Sequence, residues 1–320
     1  MLRCAVLDDY QGVALKAADW SRLDGRVETA AFSDRRTDPD ELAARLADFE
    51  IIIAMRERTP FDRALLERLP SLKLLVTTGA RNAAIDLAAA RDCKVVVCGT
   101  RSAQTPTSEL TFALLLALAR NLIPETRSLR SGGWQTSVGT DLAGARLGVL
   151  GLGKIGLQVA AFAKAFEMDV AAWSPNLTQA RCDEAGVAFA RGLDDLLIAA
   201  DFLTIHIVLS PATRGLIGRR ELALMKPTAR LINTSRGPIV EEAALIEALK
   251  QRRIAGAALD VFDIEPLPSD HPLRHLDNVL ATPHLGYVSE RNYAVFYSDA
   301  VADIAAWLDG SPIRVIELRA

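Results

Sequence analysis

The side chains most suited to chemistry follow three short apolar runs in the second half of the sequence. They lie in residues 233–237, 260–266 and 282–286, which contain an arginine, several carboxylates and a histidine. Ligands of an open α/β sheet bind outside the carboxyl ends of its strands, so the three segments are predicted to converge. Arginine can hold a carboxylate through two hydrogen bonds, histidine can carry a proton, and a carboxylate bonded to histidine favours its charged form. The segments therefore indicate an acid–base site.

A glycine-rich turn precedes these segments and indicates a dinucleotide. It lies between an apolar strand and a helix and has the sequence Gly151-Leu152-Gly153-Lys154-Ile155-Gly156. Gly151 permits the tight turn, Gly153 lets the backbone approach a pyrophosphate, and Gly156 lets the helix pack closely on the strand. The helix N-terminus adds unpaired N–H groups for the phosphates. The alternative is a merely structural turn. Beside a nicotinamide, the three polar segments would form a hydride-transfer site.

The ribose position of this predicted dinucleotide site has an unusual residue. An acid normally stands about 20 residues after the glycine turn, at the tip of the second strand. Asp169 has nearly this spacing, but it starts the strand and is predicted to point away from the site. The tip carries Ser174, which neither repels nor attracts a 2′-phosphate. The sequence therefore favours neither NAD nor NADP as the coenzyme.

With these motifs the sequence resembles the D-isomer-specific 2-hydroxyacid dehydrogenases and, among them, phosphoglycerate-dehydrogenase-like enzymes. The resemblance covers nearly the whole chain and is strongest over residues 148–286. It implies that Arg236 is the cation that orients the substrate. It also implies that His284 is the general acid/base and that Glu265 is the partner of its imidazole.

The same resemblance implies a set of residues around the cofactor. They are Gly151, Gly153, Lys154, Ile155, Gly156, Ser174, His206, Thr213, Thr234, Ser235, Asp260 and Gly286. Asp260 would contact the nicotinamide carboxamide, although an acid at this position could instead cap a turn. His206 matches a histidine on the cofactor side, although it could simply fill a crevice.

The first half of the sequence is expected to carry the substrate-binding residues. By resemblance, Arg56 reaches the substrate, and the loop with Gly79, Ala80 and Arg81 holds the substrate carboxylate through backbone N–H groups. The family commonly has glycine at the position of Arg81. This arginine could add a cation for an acidic or phosphorylated substrate, or it could point into solvent.

Short β-branched runs alternate with amphipathic segments along the chain, which predicts parallel sheets covered by helices. The fold class is α/β, with a Rossmann dinucleotide domain and a flavodoxin-like substrate domain, both doubly wound. The resemblance implies that residues 1–98 with 288–320 form the substrate domain and that residues 99–287 form the dinucleotide domain. The two crossings between them would act as a hinge whose closure excludes water.

One long helix is predicted over residues 105–130, with a kink at Pro124. Its middle, residues 110–119, is apolar nearly all round and is expected to be buried. In the family the corresponding helix forms a dimer, so a homodimer is expected.

Composition excludes several classes of protein. The chain has 320 residues, 50% of them apolar, and a net charge of −3, which argues against a disordered chain and against a nucleic-acid partner. The longest apolar run is about half of the ~20 residues that span a membrane, so no membrane partner is expected. The four cysteines form no CxxC pair, which suits free thiols in the cytoplasm. No histidine pattern indicates a metal.

Together these observations predict an oxidoreductase that transfers hydride between a nicotinamide dinucleotide and a 2-oxo acid/D-2-hydroxy acid pair. One alternative is a dinucleotide-sensing binding protein without turnover, and a second is a dehydrogenase of formate or phosphite. Activity on a panel of small acids discriminates the three. The small-molecule substrate itself is not predicted.

Overall fold

The computed structural model of the chain describes residues 1–318. It divides into two compact units. Unit 1 contains Met1–Gln104 and the described residues from Ser289 onward, and unit 2 contains Thr105–Val288. Each unit has a core built on one parallel sheet with helices on its faces, so the α/β prediction is confirmed.

Unit 1 has a five-stranded parallel sheet with the order β2-β1-β3-β4-β5. Its strands are β1 (Leu2–Val6), β2 (Val27–Ala31), β3 (Ile51–Ala54), β4 (Leu74–Thr77) and β5 (Val96–Gly99). This is the flavodoxin-like order of doubly wound folds. The central strands β3 and β4 are buried along their whole length, which explains their continuous apolar sequences.

The helices of unit 1 begin at side chains that cap their first turns. They are α1 (Pro39–Leu46), α2 (Arg63–Leu66), α3 (Leu87–Asp92) and the C-terminal helix (Glu290–Leu308), with 3-10 turns at Ala14–Lys16 and Trp20–Leu23. At α1 the Asp38 carboxylate accepts the N–H groups of Asp40 and Glu41, and Pro39 occupies the first helical position. Proline is preorganised for that position and Asp38 is a preferred N-cap residue, so the sequence itself fixes the start of this helix.

Unit 2 has a seven-stranded parallel sheet with the order β12-β11-β10-β9-β6-β7-β8. Its strands are β6 (Arg146–Leu150), β7 (Asp169–Trp173), β8 (Ala188–Phe189), β9 (Phe202–Ile205), β10 (Arg230–Asn233), β11 (Gly256–Leu259) and β12 (Val279–Ala281). The strand order reverses between β6 and β9, which are hydrogen-bonded neighbours. Ligands of doubly wound sheets bind at such a switch point.

The helices of unit 2 cover both faces of this sheet. They are α4 (Pro106–Ala119), α5 (Leu122–Arg130), α6 (Lys154–Ala165), α7 (Gln179–Ala185), α8 (Leu193–Ala199), α9 (Arg219–Leu224) and α10 (Glu242–Lys250), with 3-10 turns at Gly237–Ile239 and Pro272–Arg274. Helix α4 buries Phe112, Leu114 and Leu115 in the core of unit 2.

The prediction of one long helix over residues 105–130 is wrong. The chain leaves the helical conformation after Ala119, and Asn121 takes a left-handed conformation with φ 49°. Asparagine tolerates this region better than most residues, so it separates two helices. Pro124 lies in the first turn of α5, where no backbone N–H has a helical partner, and it causes no kink.

Within residues 1–318, no helix has the length and apolar composition needed to cross a bilayer. The four cysteines are free: Cys4, Cys98 and Cys182 are buried, and Cys93 is half-buried. Burial raises the pKa of both Cys4 and Cys98 to about 12, which keeps these two thiols protonated and unreactive.

Candidate active site

The glycine turn joins β6 to α6 and leaves an open surface at its centre. Gly151 has φ 103°, and a Cβ there would lie 2.8 Å from the backbone of His206. A Cβ on Gly156 would lie 2.1 Å from the carbonyl oxygen of Gly151. A Cβ on Gly153, by contrast, would meet no atom within 4 Å. The first and last glycines thus pack the turn tightly, and the middle one leaves room for a ligand.

The start of α6 fits a phosphate group. Gly153 is the N-cap residue and provides no side-chain cap for the first N–H groups of the helix, which includes Lys154 and Ile155. Uncapped N–H groups at a helix N-terminus bind anions well. The open space over Gly153 and these donors together meet the requirements of a pyrophosphate.

Ser174 follows β7 at the carboxyl edge of the sheet and is half-buried. Its carbonyl oxygen accepts the N–H of Leu177 at 3.0 Å, which closes the turn after the strand. Asp169 is the first residue of β7, at the opposite end, and it is exposed. The ribose position is therefore occupied by a hydroxyl and not by a carboxylate.

His206 and Ile207 follow β9 and lie against the glycine turn. The N–H of His206 donates to the carbonyl oxygen of Leu150 at 2.7 Å, and its Nε2 lies 2.9 Å from the hydroxyl of Thr204. Desolvation lowers the pKa of His206 to about 3, so this imidazole is neutral at physiological pH. A neutral imidazole is compatible with the cofactor-side position that the resemblance implies.

Thr213 closes the loop that continues from β9. Its hydroxyl accepts the N–H of Ser210 at 2.8 Å and donates to the carbonyl oxygen of Val208 at 2.7 Å. The residue is buried. Both of these hydrogen bonds of the hydroxyl are made within the loop.

The loop after β10 is held by its own side chains. The amide of Asn233 donates to the carbonyl oxygen of Arg236 at 3.0 Å and accepts the N–H of Ser235 at 3.0 Å. The hydroxyl of Thr234 lies 2.7 Å from that of Thr111 on α4. The Ser235 hydroxyl donates to the carbonyl oxygen of Ile207 at 2.6 Å, which ties this loop to the one after β9.

Gly237 brings the loops after β10 and β11 together. A Cβ at this position would lie 2.2 Å from the carbonyl carbon of Phe262, so only glycine fits. The guanidinium of Arg236 also donates to the carbonyl oxygen of Ser235 at 2.7 Å. Arg236 thereby lies close enough to Glu265 for its charge to lower the pKa of that carboxyl.

The central pair of the site joins the loop after β11 to the loop after β12. Nδ1 of His284 lies 2.6 Å from Oε2 of Glu265. The other carboxylate oxygen, Oε1, accepts the N–H of Phe262 at 3.0 Å, which fixes the orientation of the carboxylate. The Tyr287 ring packs edge-on against the imidazole, with the ring centroids 5.4 Å apart.

The electrostatics of this pair favour an ionised Glu265. Burial alone would raise the pKa of the carboxyl, but the hydrogen bond and charge of His284, the Phe262 N–H and the charge of Arg236 bring it below its usual value. An ionised carboxylate on Nδ1 fixes the imidazole and leaves Nε2 as the nitrogen that can exchange a proton. The pair is thus preorganised for general acid/base chemistry.

Asp260 is fully buried and holds the turn that carries His284. Its carboxylate accepts the Thr282 hydroxyl at 2.6 Å and the N–H groups of Leu285 and Gly286, both at 2.7 Å. Desolvation raises its pKa, although these hydrogen bonds and the charge of His284 oppose the shift. All three interactions serve the turn, in agreement with the turn-capping alternative. A contact with a nicotinamide stays a prediction.

Gly286 completes this turn. A Cβ there would lie 3.1 Å from the Asp260 carboxylate and 3.4 Å from Thr107 on α4. Its carbonyl oxygen accepts the hydroxyl of Thr107 at 2.8 Å. The hydroxyls of Thr107 and Thr111 thus fix two of the site loops from one helix.

The predicted substrate-binding residues of unit 1 lie at the carboxyl ends of β3 and β4. Arg56 has a left-handed conformation with φ 52°; its N–H donates to the hydroxyl of Thr78, and its guanidinium donates to the Thr78 carbonyl oxygen. Gly79 has φ 94°, and a Cβ there would lie 1.9 Å from the Arg56 guanidinium. The amide of Asn82 donates to the Arg56 carbonyl oxygen at 2.6 Å. These contacts fix the loop.

The tip of this loop is exposed. The N–H of Gly79 donates to the Thr100 hydroxyl at 2.7 Å and is already used. The backbone N–H groups of Ala80 and Arg81 make no hydrogen bond with any of residues 1–318, and both residues are exposed. The Arg81 side chain has no ion pair within the described chain. Two backbone donors and one cation are therefore free here for an anion.

Some structural residues of the site were not predicted from the sequence. Thr282 lies inside a predicted motif, two residues before His284. Its place at the site could therefore be found from the sequence, although its hydrogen bond to Asp260 was not predicted. Thr107 and Thr111 gave none, because they lie more than a hundred residues before the loops that they hold. In the described part of the chain, no group of three or more His, Cys, Asp or Glu side chains is arranged to hold a metal ion.

Comparison with known proteins agrees with this geometry. The profile of the D-isomer specific 2-hydroxyacid dehydrogenase, NAD binding domain, matches residues 112–286. The chain belongs to the D-isomer-specific 2-hydroxyacid dehydrogenase family. The matched residues of this family domain include the glycine turn, Arg236, Glu265 and His284. A nicotinamide dinucleotide is therefore the cofactor that this part of the chain is built to hold.

Several family members are similar over most of the chain. D-3-phosphoglycerate dehydrogenase of Methanocaldococcus jannaschii is 40% identical over 91% of this chain and 54% of its own length. The structure of phosphoglycerate oxidoreductase from Vibrio cholerae O395 has a TM-score of 0.93 and 34% identity, over 97% of this chain and all of that one. Pyruvate reductase of Chlamydomonas reinhardtii has a TM-score of 0.83 and 25% identity, over 98% of each chain. The chain spans about half the length of the D-3-phosphoglycerate dehydrogenases that it matches.

Proposed function

We propose that the protein is an oxidoreductase that transfers hydride between a nicotinamide dinucleotide and a 2-oxo acid/D-2-hydroxy acid pair. The observation that carries the proposal is the 2.6 Å contact between His284 and Glu265, beside Arg236. These residues lie at the same carboxyl edge of the unit 2 sheet as the glycine turn. Close contacts connect the loops after β6, β9, β10 and β11 along this edge in turn.

The proposed cofactor site begins at the open part of the glycine turn. The N–H groups of Lys154 and Ile155 would hold the pyrophosphate over Gly153, and the Ser174 hydroxyl would face the adenine ribose. The remaining members of the set are His206, Thr213, Thr234, Ser235, Asp260 and Gly286. A bound reduced nicotinamide supplies the hydride that adds to the carbonyl carbon of the substrate.

Three residues of the chain orient the substrate and transfer the proton. Arg236 binds the substrate carboxylate and polarises the carbonyl group. Nε2 of the protonated His284 donates its proton to the carbonyl oxygen, which becomes the hydroxyl, and the imidazole ends neutral. Glu265 stays ionised on Nδ1 throughout and stabilises the imidazolium before the transfer. In the oxidation direction His284 accepts the same proton.

We also assign roles to the two parts of the chain. Residues 99–287 bind the dinucleotide, and residues 1–98 with 288–320 bind the substrate. The free backbone N–H groups of Ala80 and Arg81 support this role, as does the guanidinium of Arg56 held over Gly79. The substrate is a small 2-oxo acid, and neither nucleic acid nor membrane takes part.

We also propose that the protein is a homodimer and that it lies in the cytoplasm. Helix α5 and the segment after it expose five large apolar side chains, which suits a subunit interface: Leu122, Ile123, Leu129, Trp134 and Val138. The four free thiols suit a reducing compartment. Sedimentation equilibrium of the purified protein tests the dimer.

A spectrophotometric screen tests the reaction. Glyoxylate, hydroxypyruvate, pyruvate, phenylpyruvate and phosphohydroxypyruvate are each assayed with NADH and NADPH, because the Ser174 hydroxyl suits the ribose of either. The proposal predicts reduction of at least one oxo acid. Tight dinucleotide binding without turnover of any acid would contradict it and favour a binding protein. Oxidation of formate or phosphite alone would reassign the chemistry.

A further inference from the structure

Three neighbouring strands of unit 2, β6, β7 and β8, end at the part of the sheet edge where the proposed dinucleotide site begins. The N–H of Gly151, in the glycine turn after β6, donates to the carbonyl oxygen of Trp173 at 2.8 Å. Ser174 follows Trp173 directly, so the predicted ribose position lies beside the glycine turn. Strand β8 borders β7 on its other side. The residue that follows β8 at this edge is therefore the next neighbour of Ser174.

This neighbour of the ribose position is Arg191. Strands β7 and β8 pair in parallel, with Ala172 opposite Phe189. The N–H of Ala190 also donates to the carbonyl oxygen of Ala172 at 3.0 Å, so the pairing continues past the last residue of β8. Two residues further along the same register, Arg191 stands opposite Ser174. Paired strands lie about 4.8 Å apart, a distance that an arginine side chain spans.

The charge of Arg191 is not neutralised by the protein. The residue is exposed, and its guanidinium makes no ion pair with an acid among residues 1–318. The first acid after it, Asp194, instead binds Arg220 through both carboxylate oxygens, at 2.8 and 2.9 Å. Arg181, on α7, is already paired with Glu184 at 3.0 Å. Arg191 is thus a cation that is available to a ligand at this edge.

The end of β7 lacks the negative charge that would oppose an anion here. No Asp or Glu stands among residues 170–182, and Asp169 is exposed at the opposite end of the strand. In doubly wound folds, an acid at this tip binds the 2′-hydroxyl of NAD, whereas a nearby arginine accommodates the 2′-phosphate of NADP. Ser174 and Arg191 fit the second pattern, because a hydroxyl donates to a phosphate oxygen and a guanidinium pairs with its charge.

We propose that Ser174 and Arg191 together bind the 2′-phosphate of NADP(H), so that the chain selects NADP(H) over NAD(H). This inference rests on the proposed function, since it concerns the coenzyme of the same site. The sequence around Ser174 favours neither coenzyme, because Arg191 lies beyond the residues that follow the tip of β7. The pairing of β7 with β8 brings the two residues together.

Calorimetric titration of the full chain with NADPH and with NADH, without an oxo acid, measures this preference independently of turnover. The first variant is Arg191→Gln. Its control is Arg253→Gln, which removes the same charge from another exposed arginine without an ion pair in the described chain. Arg253 precedes β11 and lies at the amino edge of the sheet, away from the glycine turn. The second variant, Ser174→Asp, introduces the acid that is typical of NAD sites.

We expect the wild type to bind NADPH at least about tenfold more tightly than NADH. Arg191→Gln should weaken NADPH about tenfold, the factor for one charge-assisted contact, and leave NADH unchanged, since NADH has no 2′-phosphate. Arg253→Gln should change neither affinity. Ser174→Asp should reverse the preference, because its carboxylate repels the phosphate and accepts the 2′-hydroxyl of NADH.

Three results would overturn this inference while the proposed function stands. One is a wild type that binds NADH as tightly as NADPH or more tightly. Another is a loss of affinity in Arg191→Gln that is equal for both coenzymes, or no loss at all. The last is an equal loss of NADPH affinity in Arg191→Gln and Arg253→Gln, which would reduce the effect to general surface charge. Binding of neither coenzyme to the wild type would contradict the proposed function and this inference together.

Discussion

The carboxyl edges of the two sheets are built alike but carry different chemistry. In unit 1 the loops after β3 and β4 contain Arg56 and Gly79, and in unit 2 the loops after β6 and β12 contain Gly151 and His284, all with positive φ. Such conformations are uncommon outside glycine and concentrate at functional sites. Yet all four histidines of the sequence lie in unit 2. Unit 1 therefore offers cations and backbone donors, whereas unit 2 offers the groups that move a proton.

The largest effect should come from His284, the proposed proton-transfer residue of unit 2. We predict that His284→Ala lowers turnover on the preferred oxo acid by about 10²–10⁴, the usual contribution of a general acid. Dinucleotide affinity should stay unchanged, because the imidazole is bonded to Glu265 and lies on a different loop from the glycine turn. Steady-state assays and NADH titration measure the two quantities. Turnover near that of the wild type would remove His284 from the mechanism.

A smaller effect is expected at the cofactor side of unit 2. Gly153→Ala should weaken dinucleotide binding by about tenfold or more, because the new methyl group occupies the space for the pyrophosphate. The melting temperature should hardly change, since this methyl group meets no protein atom within 4 Å. Gly192→Ala is the matched control: Gly192 also precedes a helix and also faces open space. Equal affinities in the two variants would speak against the assigned phosphate site.

Because unit 1 offers cations and backbone donors, a change there should weaken substrate binding. Arg56→Gln should raise KM for the oxo acid about tenfold while kcat changes less, because a cation is lost and no proton donor is touched. Arg22→Gln, an exposed change of the same charge in the same unit, serves as the control. A fall in kcat with unchanged KM would place Arg56 in the chemical step. It would contradict the assignment of substrate recognition to unit 1 and of proton transfer to unit 2.

The smallest effect concerns the stability of unit 1. Asp303 is fully buried beside Arg314, and burial raises its pKa to about 7. The stability that the protonated form provides is complete below the ordinary aspartate value and is lost as the pH rises through about 7. Asp303→Asn cannot ionise, so it should melt about 5 °C above the wild type at pH 8 and show a flatter pH dependence. Calorimetry of both proteins at pH 5 and pH 8 measures these melting temperatures. An equal change of melting temperature with pH in wild type and Asp303→Asn would refute the raised pKa of Asp303.

Continuous apolar runs allowed much of the fold to be predicted. Apolar runs predict strands over residues 51–54, 146–150, 202–205 and 279–281, and β3, β6, β9 and β12 have these bounds, because buried parallel strands leave an unbroken apolar signal. Strand β2 was missed, since Val27–Ala31 includes polar residues and lies at a sheet edge. The break at Asn121 was missed because no short-range pattern forces a left-handed residue there.

The candidate site was predictable only where one segment carries its own signal. The Gly151 turn and the motif with His284 are local, so their positions followed from spacing and from the family resemblance. The use of Asp260 as a turn cap was one of two open alternatives, and its three hydrogen bonds were needed to show it, while its contact with a nicotinamide stays a prediction. The bond from Thr111 to Thr234 depends on packing between distant segments, which spacing does not encode.

The pH dependence of oxo acid reduction in wild type and Glu265→Gln tests the central claim most directly. The carboxylate of Glu265 is held ionised beside the imidazole, where it would stabilise the proton that His284 is proposed to donate. Without it, the alkaline limb of the kcat/KM profile should move to lower pH by about one unit or more. Glu265→Asp, which keeps the charge, should move it less. Superimposable profiles for wild type and Glu265→Gln would contradict the account.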